Sequence, residues 1–166
     1  MPPLATSYVD LEGAQLIADW IAQEVEPHLS YQEWRIANFG DGTSPAGNPL
    51  ANPDNDRFHN AGEWTFGTGP HQPGDTESIT SVLHVQPDAG VFRFSHPRLK
   101  GFNTAGISYR YETSSDLISW TEVVPIFESA AQMPEKPDYE TATLRLPASA
   151  IAGRNRLFVR ITSTSP

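Results

Sequence analysis

The chain has 166 residues, of which 38% are hydrophobic, with 15 prolines, 12 glycines, no cysteine and a formal net charge of −9. This composition is typical of one loop-rich, β-leaning domain with a small appendage rather than of a helical bundle. The lack of cysteine excludes disulfides, zinc–thiolate sites, iron–sulfur clusters and covalently attached haem. The negative charge argues against nucleic acids and anionic membranes as partners.

The N-terminal part, residues 1–28, is predicted to be an extended arm followed by an amphipathic helix. Asp10 is the expected N-cap, and the helix should end before Pro27. The apolar residues that recur on one helical face are Leu16, Ile17, Trp20, Ile21 and Val25. No run of residues is apolar enough to insert into a membrane, and residues 1–20 lack the basic start and apolar core of a signal peptide.

This N-terminal stretch is similar to the last segment of c-type cytochrome domains, written MPPL…VD…LI…WI. In those domains the methionine, which matches Met1, is an axial haem ligand. Because the CxxCH attachment motif is missing, we expect no haem and a helix that packs on the rest of the protein. The side chains expected to make that contact are Leu16, Trp20 and Ile21.

Residues 29–72 are predicted to form a helix–loop–helix unit. Short helices are expected over residues 31–38 and 60–66, ended by Gly40 and Gly67. The aromatic side chains expected to form a small core between them are Trp34, Phe39, Trp64 and Phe66.

The loop between these helices has the ligand spacing of an EF-hand-like calcium site. Oxygen-bearing side chains occupy its first, third, fifth, ninth and twelfth places, and the seventh place offers a backbone carbonyl. The six candidate metal ligands are Asn52, Asp54, Asp56, Phe58 (through its carbonyl), Asn60 and Glu63. Ca²⁺ prefers six to eight oxygen ligands, which this spacing can supply. The spacing alone also allows a plain loop whose Asn and Asp side chains cap their own backbone.

Two places depart from the calcium pattern. Arg57 replaces the glycine of the sixth place, where a positive φ would cost about 1–2 kcal/mol and the guanidinium would lie near the cation. Asn52 replaces the usual first aspartate. We therefore expect a weak affinity, with a Kd on the order of 10⁻⁴–10⁻³ M.

Residues 31–70 resemble the segment W…FG…DPDGDGxxNxxEYxxGTDP of large secreted bacterial proteins, which is related to dockerin and thrombospondin type 3 repeats. The matching stretches are Trp34–Gly40, Asn52–Glu63 and Trp64–Pro70. The resemblance implies bound calcium, an extracellular location and a place among the accessory regions of larger proteins.

Residues 73–166 are predicted to form an antiparallel β-sandwich, which makes the fold mainly β with a helical N-terminal part. The expected strands are Ile79–Val85, Val91–His96, Ile107–Thr113, Ile118–Val124, Thr141–Leu146 and Leu157–Thr162. This part is similar to a β-module, YxVExSxDLxxWT…VxLP…FxRLxV, that follows the calcium segment in the same secreted proteins. The matching stretches are Tyr109–Thr121, Thr143–Pro147 and Leu157–Ile161.

We find no sequence signature of an enzyme. The five histidines are scattered, and no GxSxG elbow or phosphate-binding loop occurs. The acidic residues that could in principle pair for glycoside hydrolysis are Glu112, Asp116, Glu122 and Glu128, for which solvated strand and turn positions are the simpler interpretation. Tyr109, Tyr111 and Trp120 could stack on sugars, although we expect Trp120 to be a core residue.

The sequence therefore predicts a non-catalytic, calcium-stabilised, secreted module that anchors or assists a larger extracellular protein. A carbohydrate-binding module is the alternative. The expected partners are the parent protein's other domains or a cell surface, with a glycan in the alternative. Open sheet edges also allow association between copies.

Overall fold

The computed structural model describes residues 10–24, 28–74 and 90–166. Within these ranges the chain forms four α-helices, one 3₁₀ turn and six strands. The helices are α1 (Leu11–Glu24), α2 (Tyr31–Phe39), α3 (Asn60–Phe66) and α4 (Ala148–Ile151), and the 3₁₀ turn is Pro45–Gly47. The strands are β1 (Arg93–Leu99), β2 (Ser108–Ser114), β3 (Thr121–Glu122), β4 (Ile126–Gln132), β5 (Tyr139–Arg145) and β6 (Phe158–Thr164).

The strands form two antiparallel sheets of three, in the orders β1-β5-β4 and β3-β2-β6. We refer to residues 93–164 as the two-sheet unit. A buried cluster on and beside the first sheet has partly buried side chains on and beside the second packed against it. The buried members are Phe92, Phe94, Ala142, Leu144 and Leu146, and those packed against them include Tyr111, Val123, Val159 and Ile161.

The helices begin and end at local sequence signals. The Asp10 side chain accepts from the Gly13 backbone N–H at 2.8 Å, which confirms the N-cap of α1. Gly40 and Gly67 end α2 and α3 at φ values of 80° and 74°, as predicted. Ser30 and Glu33 additionally form a reciprocal capping box at the start of α2, for which a serine followed three residues later by a glutamate is the sequence signal.

The expected packing of α1 is not found where the structure describes its side chains. Leu16 is 71% exposed and Ile17 is 59% exposed. The side chains of Trp20 and Ile21 lie outside the described residues, as do Met1 and the predicted strand Ile79–Val85. None of the helices in the described ranges has the length and hydropathy of a membrane span.

The aromatic core of the helix–loop–helix unit is continuous with the two-sheet unit. Trp34 and Trp64 are buried in one cluster with Leu99, Ile107 and Tyr139, and Phe39 packs against this cluster. The Trp64 indole N–H also donates to the Leu29 carbonyl at 2.9 Å. Helices α2 and α3 therefore pack directly on the two-sheet unit, and the apolar side chains of the two parts bury one another.

One strand prediction was wrong, and one strand was not predicted. The predicted strand Ile118–Val124 contains only the two-residue β3, because the Asp116 side chain holds the preceding residues in a turn. Strand β4 was not predicted, because its sequence IFESAAQ neither alternates nor carries strong β-propensity. Pairing with β5 holds it, although every residue of β4 is exposed.

Candidate metal centre

The candidate centre lies in the loop between the 3₁₀ turn and α3. Two backbone hydrogen bonds close this loop, from the N–H of Asn60 to the Ala51 carbonyl at 2.9 Å and from that of Ala61 to the Pro49 carbonyl at 3.0 Å. They bring the start of the loop against the first turn of α3. Asn60, the ninth place of the pattern, is thus held beside the residue that precedes the first place.

Three carboxylates converge inside the loop. Asp54, Asp56 and Glu63 each offer an oxygen, and these oxygens lie within 4.8 Å of one another. Glu63 is fully buried, because it lies on the inner side of the first turn of α3. Like charges at this separation repel strongly unless a cation or a proton lies between them.

The loop aspartates use one oxygen for the backbone and leave the other without a protein donor. The Oδ1 of Asp56 accepts from the Phe58 N–H at 2.7 Å, and the Oδ1 of Asp54 accepts from the Asp56 N–H at 3.3 Å. Both Oδ2 atoms are shielded from solvent and accept no hydrogen bond from the described residues. Backbone capping therefore explains the Oδ1 atoms but not the Oδ2 atoms.

The two candidate amide ligands show the same pattern, with the nitrogen bonded to the protein and the oxygen without a donor. The Nδ2 of Asn52 donates to the Asp56 carbonyl at 2.9 Å, and the Nδ2 of Asn60 donates to the carbonyls of Ala46 at 2.7 Å and Asn48 at 2.8 Å. These bonds set which end of each amide is the oxygen. Both Oδ1 atoms are buried and accept no hydrogen bond in the described part of the chain, and Asn60 is fully buried.

Phe58 supplies the seventh place of the pattern. Its ring stacks on Phe66 with the ring centroids 5.2 Å apart, which anchors the loop to α3. Its carbonyl accepts none of the backbone hydrogen bonds that the described loops make. The carbonyl oxygen is thus available as a ligand.

The expectation about Arg57 was wrong. The left-handed residue of the loop is Asn55, with φ 59°, whereas Arg57 has no positive φ. Asparagine tolerates this conformation better than most residues, so the loop turns at its fourth place without glycine at its sixth. Arg57 is exposed beside a shallow depression that Leu50 and Ile161 also line. Among the described residues no ion pair involves Arg57, Asp54 or Asp56.

The six candidate ligands form an all-oxygen donor set: three carboxylates, two amide oxygens and one backbone carbonyl. Oxygen sets of this kind suit hard cations and disfavour zinc and copper, which prefer nitrogen and sulfur. The residues present therefore fit an acidic cluster that could hold a metal ion.

The carboxylates considered for glycoside hydrolysis have structural partners. Glu112 pairs with Arg160 at 2.8 Å, Glu122 pairs with Arg110 at 3.1 Å, and Glu128 lies between Arg93 and Arg145. Asp116 caps its own turn. Glu112 and Glu122 are cross-strand partners that share Arg110, but the structure does not bring all four carboxylates together as one group.

Of the three aromatic residues considered for sugar stacking, Trp120 is apart from the two tyrosines. Trp120 is only half-buried, so the predicted core position is wrong. The Arg160 guanidinium covers its ring, with the guanidinium carbon 4.3 Å from the ring centroid. Tyr109 and Tyr111 point between the sheets, where their hydroxyls bond to Thr65 and His96. Both tyrosines line a cleft of about 550 Å³, which Phe127 of β4 borders. The cleft could not be predicted from the sequence without β4, which forms part of its border.

Comparison of the chain with protein-family models, with curated proteins and with solved structures gave no significant match.

Proposed function

We propose that this chain is a non-catalytic accessory module whose loop at residues 52–63 binds Ca²⁺. The observation that carries the proposal is the set of four shielded oxygens without protein donors, on Asn52, Asp54, Asp56 and Asn60, beside the carboxylate of Glu63. Buried polar atoms are nearly always satisfied in folded proteins. A cation bound among them supplies the missing partner.

Calcium fits this site better than magnesium. Ca²⁺ accepts six to eight oxygens in flexible geometry, whereas Mg²⁺ requires a near-ideal octahedron and usually keeps several water ligands. The loop offers six protein oxygens, one of them from a carboxylate long enough to bind through both atoms. The resemblance to the dockerin and thrombospondin type 3 segment supports the same ion.

The wider function rests on the resemblance and on the architecture. The two antiparallel sheets share one apolar cluster, which supports a β-sandwich of the kind that follows the calcium segment in secreted bacterial proteins. In a chain without cysteine, a bound ion acts as the crosslink that a disulfide would otherwise provide. Such a module would position or anchor the other domains of an extracellular protein.

The test is calorimetric titration with Ca²⁺ together with melting curves in calcium and in EDTA. A free concentration of about 1 mM against a Kd of about 10⁻⁴ M stabilises the fold by about 1.4 kcal/mol, or about 3–6 °C. Glu63→Gln and Asp54→Ala should abolish this gain. The matched control is Glu135→Gln, which removes an exposed carboxylate far along the chain. Identical melting curves in calcium and in EDTA, measured on dialysed protein that contains no metal, would refute the site.

The cleft between the sheets favours a second candidate, binding of neutral oligosaccharides. Its wall includes the half-exposed ring of Phe127, and its charged groups are paired, Arg98 with Glu140 and Arg110 with Glu122. Paired charges and an aromatic face suit a neutral sugar. Affinity gels with neutral polysaccharides should retard the wild type and Trp120→Ala alike, but not Phe127→Ala. Equal mobility with and without polysaccharide would exclude this candidate.

A further inference from the structure

Helix α3 carries metal ligands at its start and is fastened to the two-sheet unit at its end. Asn60 and Glu63 lie in its first turn. In its last turn the carbonyl of Trp64 accepts from the Tyr139 hydroxyl at 2.8 Å, and the carbonyl of Thr65 accepts from the Tyr109 hydroxyl at 2.6 Å. The last carbonyls of a helix have no partner within the helix, so these tyrosines satisfy groups that would otherwise need water.

Three further contacts from the two-sheet unit hold the same end of α3. The Lys136 ammonium donates to the Gly67 carbonyl, and the hydroxyls of Thr65 and Ser163 lie 2.7 Å apart. The ring of Tyr139 passes so close to Gly67 that a Cβ there would lie 2.8 Å from it. The helix end is therefore fixed in position by both sheets and by the β4–β5 connection.

Both tyrosine hydroxyls are protonated donors at any ordinary pH. Burial raises the pKa of Tyr109 and of Tyr139 well above the usual value of 10. Tyr109 also accepts a hydrogen bond from the Leu99 N–H at 3.1 Å, which ties α3 through this one hydroxyl to the end of β1. The chain of contacts thus runs from the carboxylate of Glu63 through one turn of helix into both sheets.

We propose that Tyr109 and Tyr139 are positioning residues of the calcium site, which hold α3 in the orientation that ion binding needs. This inference rests on the proposed calcium function. Coupling free energies are reciprocal. The ion must therefore stabilise β2 and β5, which carry the two tyrosines, and β1, which Tyr109 contacts, by the amount that these strands stabilise the bound ion. The loop and the two-sheet unit then form one cooperative structure that calcium stabilises as a whole.

The experiment measures the calcium Kd and hydrogen exchange of the strands in Tyr109→Phe and Tyr139→Phe. Each substitution removes one hydroxyl and keeps the ring. We expect the Kd to rise about fivefold for each, the equivalent of one net hydrogen bond. Calcium should slow exchange in residues 93–99 and 139–145 of the wild type, and this protection should shrink in both variants.

Tyr111→Phe is the matched control. It removes a buried tyrosine hydroxyl from the same strand as Tyr109, but that hydroxyl bonds to His96 and not to α3. The control should lose stability and keep the wild-type Kd. Unchanged Kd values in Tyr109→Phe and Tyr139→Phe, with normal binding by the wild type, would overturn the positioning role alone. A wild type that binds no calcium would overturn the proposed function and this inference together.

Discussion

The hydroxyl of Tyr111 in β2 donates to Nε2 of His96 in β1 across 2.9 Å and so joins the two sheets through their interior. The other ring nitrogen of His96, Nδ1, lies 3.0 Å from the Pro97 carbonyl, which can only accept. Nδ1 therefore carries the proton, and Nε2 is the acceptor. The ring is neutral, and burial lowers the pKa of His96 from 6.5 to about 4.

This neutral histidine predicts a loss of stability in weak acid. His96 binds a proton near pH 6.5 in the unfolded chain but only near pH 4 in the folded chain. The stabilisation that the neutral ring contributes is therefore complete above pH 6.5 and is lost as the pH falls to about 4. The total loss should be about 3 kcal/mol. Urea unfolding in EDTA at several pH values measures it. His96→Gln should be less stable at pH 7.5 but should lack this part of the pH dependence, and parallel profiles would contradict the prediction.

The turn after β2 predicts a second acid-sensitive contact. Asp116 accepts from the N–H groups of Ser119 and Ile118, both at 2.8 Å, and from the Ser114 hydroxyl at 2.9 Å. These bonds, led by that of the Ser119 N–H, lower the pKa of Asp116 to about 2. The stabilisation is present above the ordinary pKa of 3.8 and is lost as the pH falls through about 2. Asp116→Asn should melt earlier than the wild type at pH 6, and the gap should close toward pH 2.

Leu117 offers a stabilising substitution. Its φ of 63° is a left-handed conformation that costs a leucine about 1–2 kcal/mol, and its side chain is 56% exposed. Asparagine adopts this conformation more readily, so Leu117→Asn should raise the free energy of unfolding by about 0.5–1 kcal/mol. Ile118→Asn is the control, because Ile118 is 83% exposed but has no positive φ. An equal gain in the free energy of unfolding in both variants would contradict this, because it would show that the effect comes from removing exposed apolar surface.

Under the proposed calcium function, we expect different effects of substitutions at the fourth and sixth places of the loop at residues 52–63. Asn55→Ala puts a less tolerant residue at φ 59° and should weaken calcium binding about fivefold, whereas Asn55→Gly should keep it. Arg57→Gly relieves no backbone strain and removes only an exposed, screened charge, so it should tighten binding less than twofold. Isothermal titration of the three variants checks this. A large gain in calcium affinity from Arg57→Gly would contradict this prediction, because it would indicate backbone strain at the sixth place.

Local features could be predicted from the sequence, and nonlocal ones could not. Gly40, Gly67 and the oxygen spacing of residues 52–63 are short-range signals, and the structure places helix ends and an acidic cluster where they indicated. Strand β4 depends on pairing with β5, which no pattern within residues 126–132 encodes. The half-buried position of Trp120 depends on Arg160, which covers its ring from forty residues later. The fastening of α3 by Tyr109 and Tyr139 is equally nonlocal.

The contacts of Leu29 and Ser163 with neighbouring residues of α3 have a consequence for connectivity. The Leu29 carbonyl bonds to the side chain of Trp64, and the Ser163 hydroxyl to that of Thr65. Two segments far apart in the chain thus emerge beside the same turn of one short helix. A glycine–serine linker of about eight residues, which reaches roughly 16 Å, would join them. A circular permutant with this junction would omit residues 1–28 and 164–166 and could be opened at the exposed residue Asn155. It should keep both sheets and the loop at residues 52–63, because their contacts do not depend on the order of the segments along the chain.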